Sequence, residues 1–137
     1  MRVVVMGCGR VGARIATILD HNGHSVGVID TDPRAFRRLP ADFKGDTVIG
    51  TGIDEDVLRL AGIEKAKAFV AVTNGDNRNI MAAQVARLMF NVPEVVCRIY
   101  DPVREDAYRR LGLTTVCPTT TISAQILDHV IGADEGR

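Results

Sequence analysis

The sequence VVVMGCGRVGAR at residues 3–14 decides the fold of this chain. Four apolar residues typical of a strand precede Gly7, Gly9 and Gly12, and a helical pattern follows. In a dinucleotide-binding βαβ unit, glycines at this G-x-G-x-x-G spacing allow a sharp turn, a close approach of the backbone to a diphosphate, and tight helix–sheet packing. The N–H groups and dipole of the following helix favour an anion. The stretch therefore predicts a nucleotide site; the alternative is a fold signature that has kept no ligand.

The end of the second predicted strand also points to a nucleotide. This strand covers residues 25–29 and leads into Asp30, eighteen residues after Gly12, about where such a fold places the acid that holds ribose hydroxyls. The charge of Asp30 would disfavour a 2′-phosphate, and Thr31 could help to hold the ribose. The alternative is that Asp30 only caps the turn after its strand, because Asp favours turns.

The composition is that of an ordinary globular domain. The chain has 137 residues, of which 46% are hydrophobic, 25% charged and 4% aromatic, and its formal net charge is zero. This balance argues against a basic nucleic-acid interface and a polybasic membrane patch. The sequence carries no signal peptide and no apolar run of the ~20 residues that span a bilayer, so we expect a cytoplasmic protein without direct membrane insertion.

The cysteines point to a reducing compartment. Cys8, Cys97 and Cys117 are odd in number and form no C-x-x-C pair, which also argues against a metal site. Cys8 stands between two motif glycines at a helix N-terminus, where the pKa of a thiol can fall. We interpret it as a small residue in a tight turn; the alternative is a redox-active thiol.

Strand and helix patterns alternate along the whole chain. Apolar runs such as residues 68–73 indicate strands buried on both faces, as in a parallel sheet. The pattern predicts an α/β fold: a Rossmann-like, doubly wound, six-stranded parallel sheet in the order 3-2-1-4-5-6, with helices on both faces and a C-terminal crossover helix. We expect one domain at residues 1–131 and a polar tail at residues 132–137. The predicted strands are residues 3–6, 25–29, 47–49, 68–73, 95–100 and 114–117. Among the predicted helices, one starts at Asp32 and Pro33, one covers residues 78–90, and the last one ends at residue 130.

In this architecture a ligand lies at the carboxyl ends of the strands, at the switch point between strands one and four. The candidate cofactor-binding residues follow the strands: Gly7, Cys8, Gly9, Arg10, Val11, Gly12, Asp30, Thr31, Asp32, Gly52, Ile53, Asp54, Thr73, Asn74 and Arg98. Two of them are arginines in unusual places. Arg10 could clamp phosphates through its fork, or could be a solvated residue at a helix start. Arg98 interrupts an apolar strand and needs either a ligand phosphate or an internal carboxylate as partner.

The sequence shows no catalytic constellation. No Ser-His-Asp set or metal-ligand spacing appears, and a second domain for another substrate is not evident. A sensor or binding module is therefore favoured, with no catalytic residues. The alternatives are a small NAD-dependent oxidoreductase or another Rossmann nucleotide-binding enzyme, and a sugar-nucleotide or CoA-binding module.

Beyond the glycines, the segments VIGTGID, AVTNGDNRNI and CRIYDP carry a more specific signal. Together with the N-terminal motif, residues 1–127 resemble the N-terminal nucleotide-binding domain (RCK, KTN or TrkA-N) of Trk/Ktr-type potassium-uptake regulators. The resemblance implies a cytosolic regulatory subunit that binds NAD(H), ATP or ADP and forms homodimers or larger rings. Such rings lie at the inner face of the plasma membrane, under a potassium transporter or channel.

The same resemblance implies roles for individual residues. Phosphates would lie on the three motif glycines and face Arg10 and Arg98, Asp30 would hold ribose, Thr73 and Asn74 would line the cleft, and Asp54 would lie on the adenine side. Two departures stand out: Thr51 replaces an Asp common in the family, and the usual C-terminal ligand domain is not in the sequence, which is then a fragment or a single-domain member.

The last predicted helix carries an apolar stripe. The resemblance implies that this helix crosses to a partner subunit, and the alternative is that it folds back on its own sheet. The residues of the stripe are Ile122, Ile126, Leu127, Val130 and Ile131.

Overall fold

The computed structural model describes residues 1–134 and residue 136, and within them it has six strands and five α-helices. The strands are β1 (Arg2–Met6), β2 (Ser25–Asp30), β3 (Asp46–Ile49), β4 (Ala66–Ala71), β5 (Glu94–Arg98) and β6 (Thr114–Val116). The α-helices are α1 (Arg10–His21), α2 (Glu55–Leu60), α3 (Asp76–Leu88), α4 (Pro102–Arg110) and α5 (Pro118–Asp134). Two 3₁₀ helices, Pro33–Arg38 and Ile63–Lys65, lie between β2 and β3 and before β4.

The sheet confirms the predicted topology. Its strand order is β3-β2-β1-β4-β5-β6, and every neighbouring pair is parallel. The order reverses between β1 and β4, where Val5 pairs with Val28 on one side and Val70 on the other. The crevice at this reversal is the place where ligands bind in open α/β sheets.

The buried first strand explains why helices cover both faces. Successive side chains of a strand point to opposite faces of the sheet. Val4 and Met6 accordingly join one core cluster with Phe69, while Val3 and Val5 join the other. The four apolar residues 3–6 of this strand are therefore buried from both sides, as the sequence predicts.

Two strands end two residues earlier than predicted. The β4 strand ends at Ala71 rather than Thr73, and β5 ends at Arg98 rather than Tyr100. The second difference has a local cause: a carboxylate oxygen of Asp76 accepts the N–H of Tyr100 at 2.8 Å, so a side chain takes the place of a ladder partner. Thr73 therefore lies in a loop, and Arg98 is the last residue of its strand.

The helices also depart from the predictions at their ends. The helix predicted after Asp32 is a 3₁₀ helix, and Asp32 begins it by accepting the N–H of Arg34 at 2.9 Å. The α3 helix begins at Asp76 instead of Arg78, because its N-cap is Gly75.

The last helix, α5, is longer than predicted and stands free of the sheet. It continues to Asp134, three residues into the predicted polar tail, of which Glu135 and Arg137 lie outside the described residues. Each residue of the apolar stripe is at least 50% exposed, and Gly132 is the buried residue of this helix. The alternative in which α5 folds back on its own sheet is therefore wrong.

Candidate functional site

A cleft of about 320 Å³ lies at the carboxyl edge of the sheet, where the strand order reverses. Loops that follow four neighbouring strands form its walls. Ten of the predicted site residues line it: Gly7, Cys8, Gly9, Asp30, Thr31, Asp32, Gly52, Thr73, Asn74 and Arg98.

The other five predicted residues do not line the cleft. Arg10 and Val11 are exposed on the first turn of α1, and Ile53 is 40% exposed. Asp54 is the N-cap of α2, where its carboxylate accepts the N–H groups of Asp56 and Val57. For Arg10 the position matches the alternative of a solvated arginine at a helix start.

Gly12 has a packing role. A Cβ at this position would lie 1.7 Å from the carbonyl oxygen of Gly7, so only glycine lets α1 approach the end of β1 this closely. Gly7 itself has a φ of +106°, and a Cβ there would lie 2.9 Å from the backbone N of Thr73. At Gly9, by contrast, a Cβ would meet nothing within 4 Å. Gly7 thus allows a tight turn, Gly12 allows α1 to pack close to β1, and Gly9 leaves open space between them.

Asp30 holds the glycine loop in place. One carboxylate oxygen accepts the N–H of Cys8 at 2.8 Å, and the other accepts the N–H of Asp32 at 2.9 Å. The second bond is the turn cap that the sequence left as an alternative. A carboxylate has about four lone-pair sites, so these two bonds leave acceptor capacity for ligand hydroxyls in the cleft.

The cleft environment keeps the Cys8 thiol neutral. Burial, followed by the negative charge of Asp30, raises the pKa of this thiol to about 11, although Arg38 opposes the shift. The complete burial of Cys8 agrees with its interpretation as a small residue in a tight turn, and the raised pKa argues against the redox-active alternative.

Among the described residues, Arg98 does not pair with an internal carboxylate, which was one of the two partners that the sequence offered. Its Nη2 donates to the carbonyl oxygens of Val72 at 2.6 Å and Thr73 at 2.8 Å, and its guanidinium carbon lies 4.9 Å from the ring centroid of Tyr100. Its buried Nε finds no partner among the described residues, nor do any of their ion pairs include Arg98. Pairing with an internal carboxylate is therefore wrong within the described chain, and Arg98 lines the cleft.

Three functional candidates escape the sequence analysis. Arg38 and Arg78 line the cleft: Arg38 approaches the carbonyl of Cys8 at 3.4 Å, and Arg78 donates to the side chain of Asn74 at 2.7 Å. Asn79, fully buried in α3, bonds to the loops that carry Thr73 and Arg98. The adjacent pair Arg37 and Arg38, in the helix that follows β2, could have indicated an anion-binding wall from the sequence. Asn79 could not have been identified in this way, because it looks like any polar residue of a helix.

The charges around the cleft suit an anion with hydroxyl groups. Arg38, Arg78 and Arg98 provide cationic donors on two walls, while Asp30 provides the acceptor. Asp32 is paired with Arg34 at 3.1 Å, and this hydrogen bond lowers the pKa of the Asp32 carboxyl. Across residues 1–134 and 136, no three His, Cys, Asp or Glu side chains gather as metal ligands.

Comparison with known proteins agrees with the Rossmann-like fold. The family model for the TrkA-N domain matches residues 3–119. The Trk system potassium uptake protein TrkA of Streptomyces coelicolor is 53% identical over 131 residues, which are 96% of this chain and 59% of that protein. The chain thus spans about three fifths of the length of this curated relative.

Two solved structures show the same fold at low sequence identity. The Kef CTD of Shewanella denitrificans in AMP-bound form superposes with a TM-score of 0.82 at 19% identity, over 97% of this chain and 81% of the other. The GsuK channel bound to NAD superposes with a TM-score of 0.76 at 24% identity, over 98% of this chain and 24% of the other. In the part of the chain that is described here, no helix is both long and apolar enough to span a membrane.

Proposed function

The chain belongs to the TrkA-N domain family, and from this premise we propose that it is a nucleotide-sensing regulatory subunit or domain of a potassium uptake system. In this proposal NAD(H) or ATP/ADP binds in the cleft, and the bound nucleotide gates a membrane potassium transporter or channel. The relative from Streptomyces coelicolor has the name of a potassium uptake protein. The two structures of the same fold hold AMP and NAD, which share an adenosine 5′-phosphate.

The observation that carries the proposal is the start of α1, which has no side-chain cap and lies beside a carboxylate fixed by two hydrogen bonds. Gly9 is the N-cap of this twelve-residue helix, without a side-chain cap and without an acid in the first turn. The first N–H groups of the helix therefore stay available, and a diphosphate satisfies them. The open space at Gly9 admits the phosphates close to the backbone.

Asp30 holds the ribose in this proposal. Its carboxylate is already oriented by the N–H groups of Cys8 and Asp32, at 2.8 and 2.9 Å, so the ligand does not have to order it. Two vicinal hydroxyls then donate to the remaining lone pairs. Thr31 and Gly52 line the same region of the cleft, beside the sugar.

Arg98 and Arg78 bind the phosphates on the far wall. Both line the cleft on the side of β4 and β5, opposite Asp30. An arginine fork pairs well with phosphate oxygens, so these two residues favour ligands with a chain of phosphates, such as ATP and ADP. The Nε of Arg98 is buried and has no partner among the described residues. Buried polar groups are rarely left without a hydrogen bond, so this nitrogen favours a ligand that accepts from it.

The bound nucleotide acts through assembly rather than chemistry in this proposal. The exposed stripe of α5 packs on a second copy of the chain in a homodimer or ring, at the inner face of the plasma membrane. Nucleotides regulate such an assembly only if they bind two of its arrangements with different affinities.

Titration calorimetry of the purified chain tests the proposal. We expect AMP, ADP, ATP, NAD and NADH to bind at one site and to compete with one another. Light scattering with and without ADP then shows whether the nucleotide changes the assembly. Absence of binding by all five nucleotides would overturn the proposal, as would steady consumption of NADH with small carbonyl substrates.

A further inference from the structure

We propose that Asn79 is a positioning residue of the cleft: it fixes Thr73 and Arg98 so that Arg98 presents its guanidinium to the phosphates of the ligand. This inference rests on the proposed function and adds a residue that does not itself touch the ligand. Asn79 is 0% exposed and lies in the first turns of α3, below the cleft floor.

The side chain of Asn79 uses all of its hydrogen-bonding capacity on Thr73 and Arg98. Its Oδ1 accepts from the backbone N of Thr73 at 3.0 Å and from the Thr73 hydroxyl at 2.6 Å. Its Nδ2 donates to the carbonyl of Thr73 at 2.9 Å and to the carbonyl of Arg98 at 3.0 Å. A buried amide with two acceptor and two donor bonds has one orientation, so it joins the end of β4 rigidly to the end of β5.

The guanidinium of Arg98 depends on this junction. The carbonyl of Thr73 accepts from Asn79 and also from Arg98 Nη2, at 2.9 and 2.8 Å. Asn79 therefore holds both the main chain of Arg98 and the carbonyl on which its side chain rests. Among the described residues no carboxylate pairs with Arg98, so backbone carbonyls and the ring of Tyr100 are what orient its charge.

The neighbouring residue Asp76 supports the same loop from the first turn of α3. Its two carboxylate oxygens accept the N–H groups of Tyr100 at 2.8 Å and Asp101 at 3.2 Å. Asp76 thereby holds the main chain of Tyr100, the residue whose ring lies against the Arg98 guanidinium. Asp76 and Asn79, both in the first turns of α3, thus hold the residues around the Arg98 side chain. Of the two, Asn79 is the one that bonds to the ends of both β4 and β5.

The experiment is calorimetry of Asn79→Ala with AMP, ADP and ATP. We expect ADP and ATP to bind about tenfold more weakly, which is about 1.4 kcal/mol. AMP should lose less than about threefold, because its single phosphate lies at the glycine loop. Asn79→Ser is measured in parallel and carries the same test if Asn79→Ala does not fold.

Two controls separate positioning from general destabilisation. Arg2→Met, at the opposite edge of the sheet, lowers stability without reaching the cleft, and its thermal unfolding provides the matched reference. In an Arg98→Gln background, Asn79→Ala should weaken ADP binding by less than about twofold more, because it acts through the arginine already removed.

Each result of the experiment decides one of the two proposals. If the unaltered chain binds no adenine nucleotide, the proposed function fails. If it binds and both Asn79 variants keep the ADP-to-AMP affinity ratio, the positioning role is wrong and Asn79 serves stability alone. Full additivity with Arg98→Gln would likewise overturn the inference.

Discussion

Two strand arginines occupy opposite edges of the sheet, and they differ in how completely they are satisfied. At the amino edge, Arg2 of β1 donates to the carbonyl of Ala61 through Nε at 3.1 Å and Nη2 at 2.6 Å. It also donates to the Ser25 hydroxyl at 2.8 Å and pairs with Asp46 at 3.1 Å. At the carboxyl edge, Arg98 uses Nη2 alone for backbone carbonyls, and its Nε has no partner among the described residues.

The difference indicates that Arg2 has a structural role, whereas Arg98 has hydrogen-bonding capacity left for a ligand. Arg2 places its charge at the C-cap of α2, where a cation interacts favourably with the helix carbonyls, and all of its nitrogens have partners. Arg98 is oriented but incompletely bonded, and it lines a cleft. The guanidinium of Arg2 is thus fully used by the protein, whereas that of Arg98 keeps one nitrogen without a partner among the described residues.

The largest expected effect comes from Gly12→Ala. Its Cβ would overlap the carbonyl of Gly7, so α1 must move away from β1 and the cleft must widen. We expect a loss of about 3 kcal/mol in the free energy of unfolding, measured with urea, and no measurable nucleotide binding.

Gly9→Ala is the matched control for that variant. A Cβ at Gly9 meets nothing within 4 Å, so its stability should change by less than about 1 kcal/mol while ADP binding weakens. If Gly9→Ala binds ADP as tightly as the unaltered chain, the phosphates do not approach the loop at Gly9. The carboxyl edge then lacks the anion-binding loop by which we expect it to differ from the amino edge.

Asp30→Ala should weaken every adenosine ligand to a similar extent. The change removes the ribose acceptor and the two bonds that hold the loop, worth about 2 to 3 kcal/mol, or roughly 30- to 150-fold in affinity. Calorimetry with AMP, ADP and NAD measures it. Asp46→Ala, an exposed carboxylate at the amino edge, is the control and should leave all three affinities unchanged. Loss confined to one nucleotide would contradict a ribose role.

Exchanging the two arginines for uncharged residues sharpens the comparison directly. Arg2→Met should lower the free energy of unfolding by about 2 kcal/mol, because the Ala61 carbonyl loses its charged donor, and should leave ADP affinity unchanged. Arg98→Gln should weaken ADP about tenfold with a smaller loss of stability. Urea unfolding and calorimetry are run on both variants. Equal losses of stability and affinity in the two would remove the distinction between the edges.

The fold was largely predictable because its signals are local. Four apolar residues at positions 3–6, followed by glycines at fixed spacing, specify β1 and the start of α1 without reference to the rest of the chain. The order of the sheet was predicted from the G-x-G-x-x-G spacing, because the dinucleotide-binding fold that uses this spacing has the order 3-2-1-4-5-6. The end of β5 was not predictable, because Asp76, from another element, takes the N–H of Tyr100.

The candidate site was predictable only in part. Residues that immediately follow strands were found, since topology brings strand ends together. The partners of Arg98 were not, because backbone carbonyls at a neighbouring strand end leave no pattern in the sequence. Asn79 escaped for a similar reason: its bond to Arg98 spans 19 residues, and nothing in a helical pattern distinguishes a buried asparagine from a solvated one.

The smallest expected effect concerns a third arginine, Arg10, which belongs to neither edge arrangement. It is exposed on the first turn of α1 and does not line the cleft. We expect Arg10→Ala to change the affinities for AMP, ADP and ATP by less than about twofold, and equally, since an exposed charge interacts weakly through water. Calorimetry over a series of salt concentrations checks this. A selective loss for ATP that persists at high salt would show that Arg10 moves onto the phosphates when ligand binds, and the anion site would then extend beyond the cleft to the helix surface.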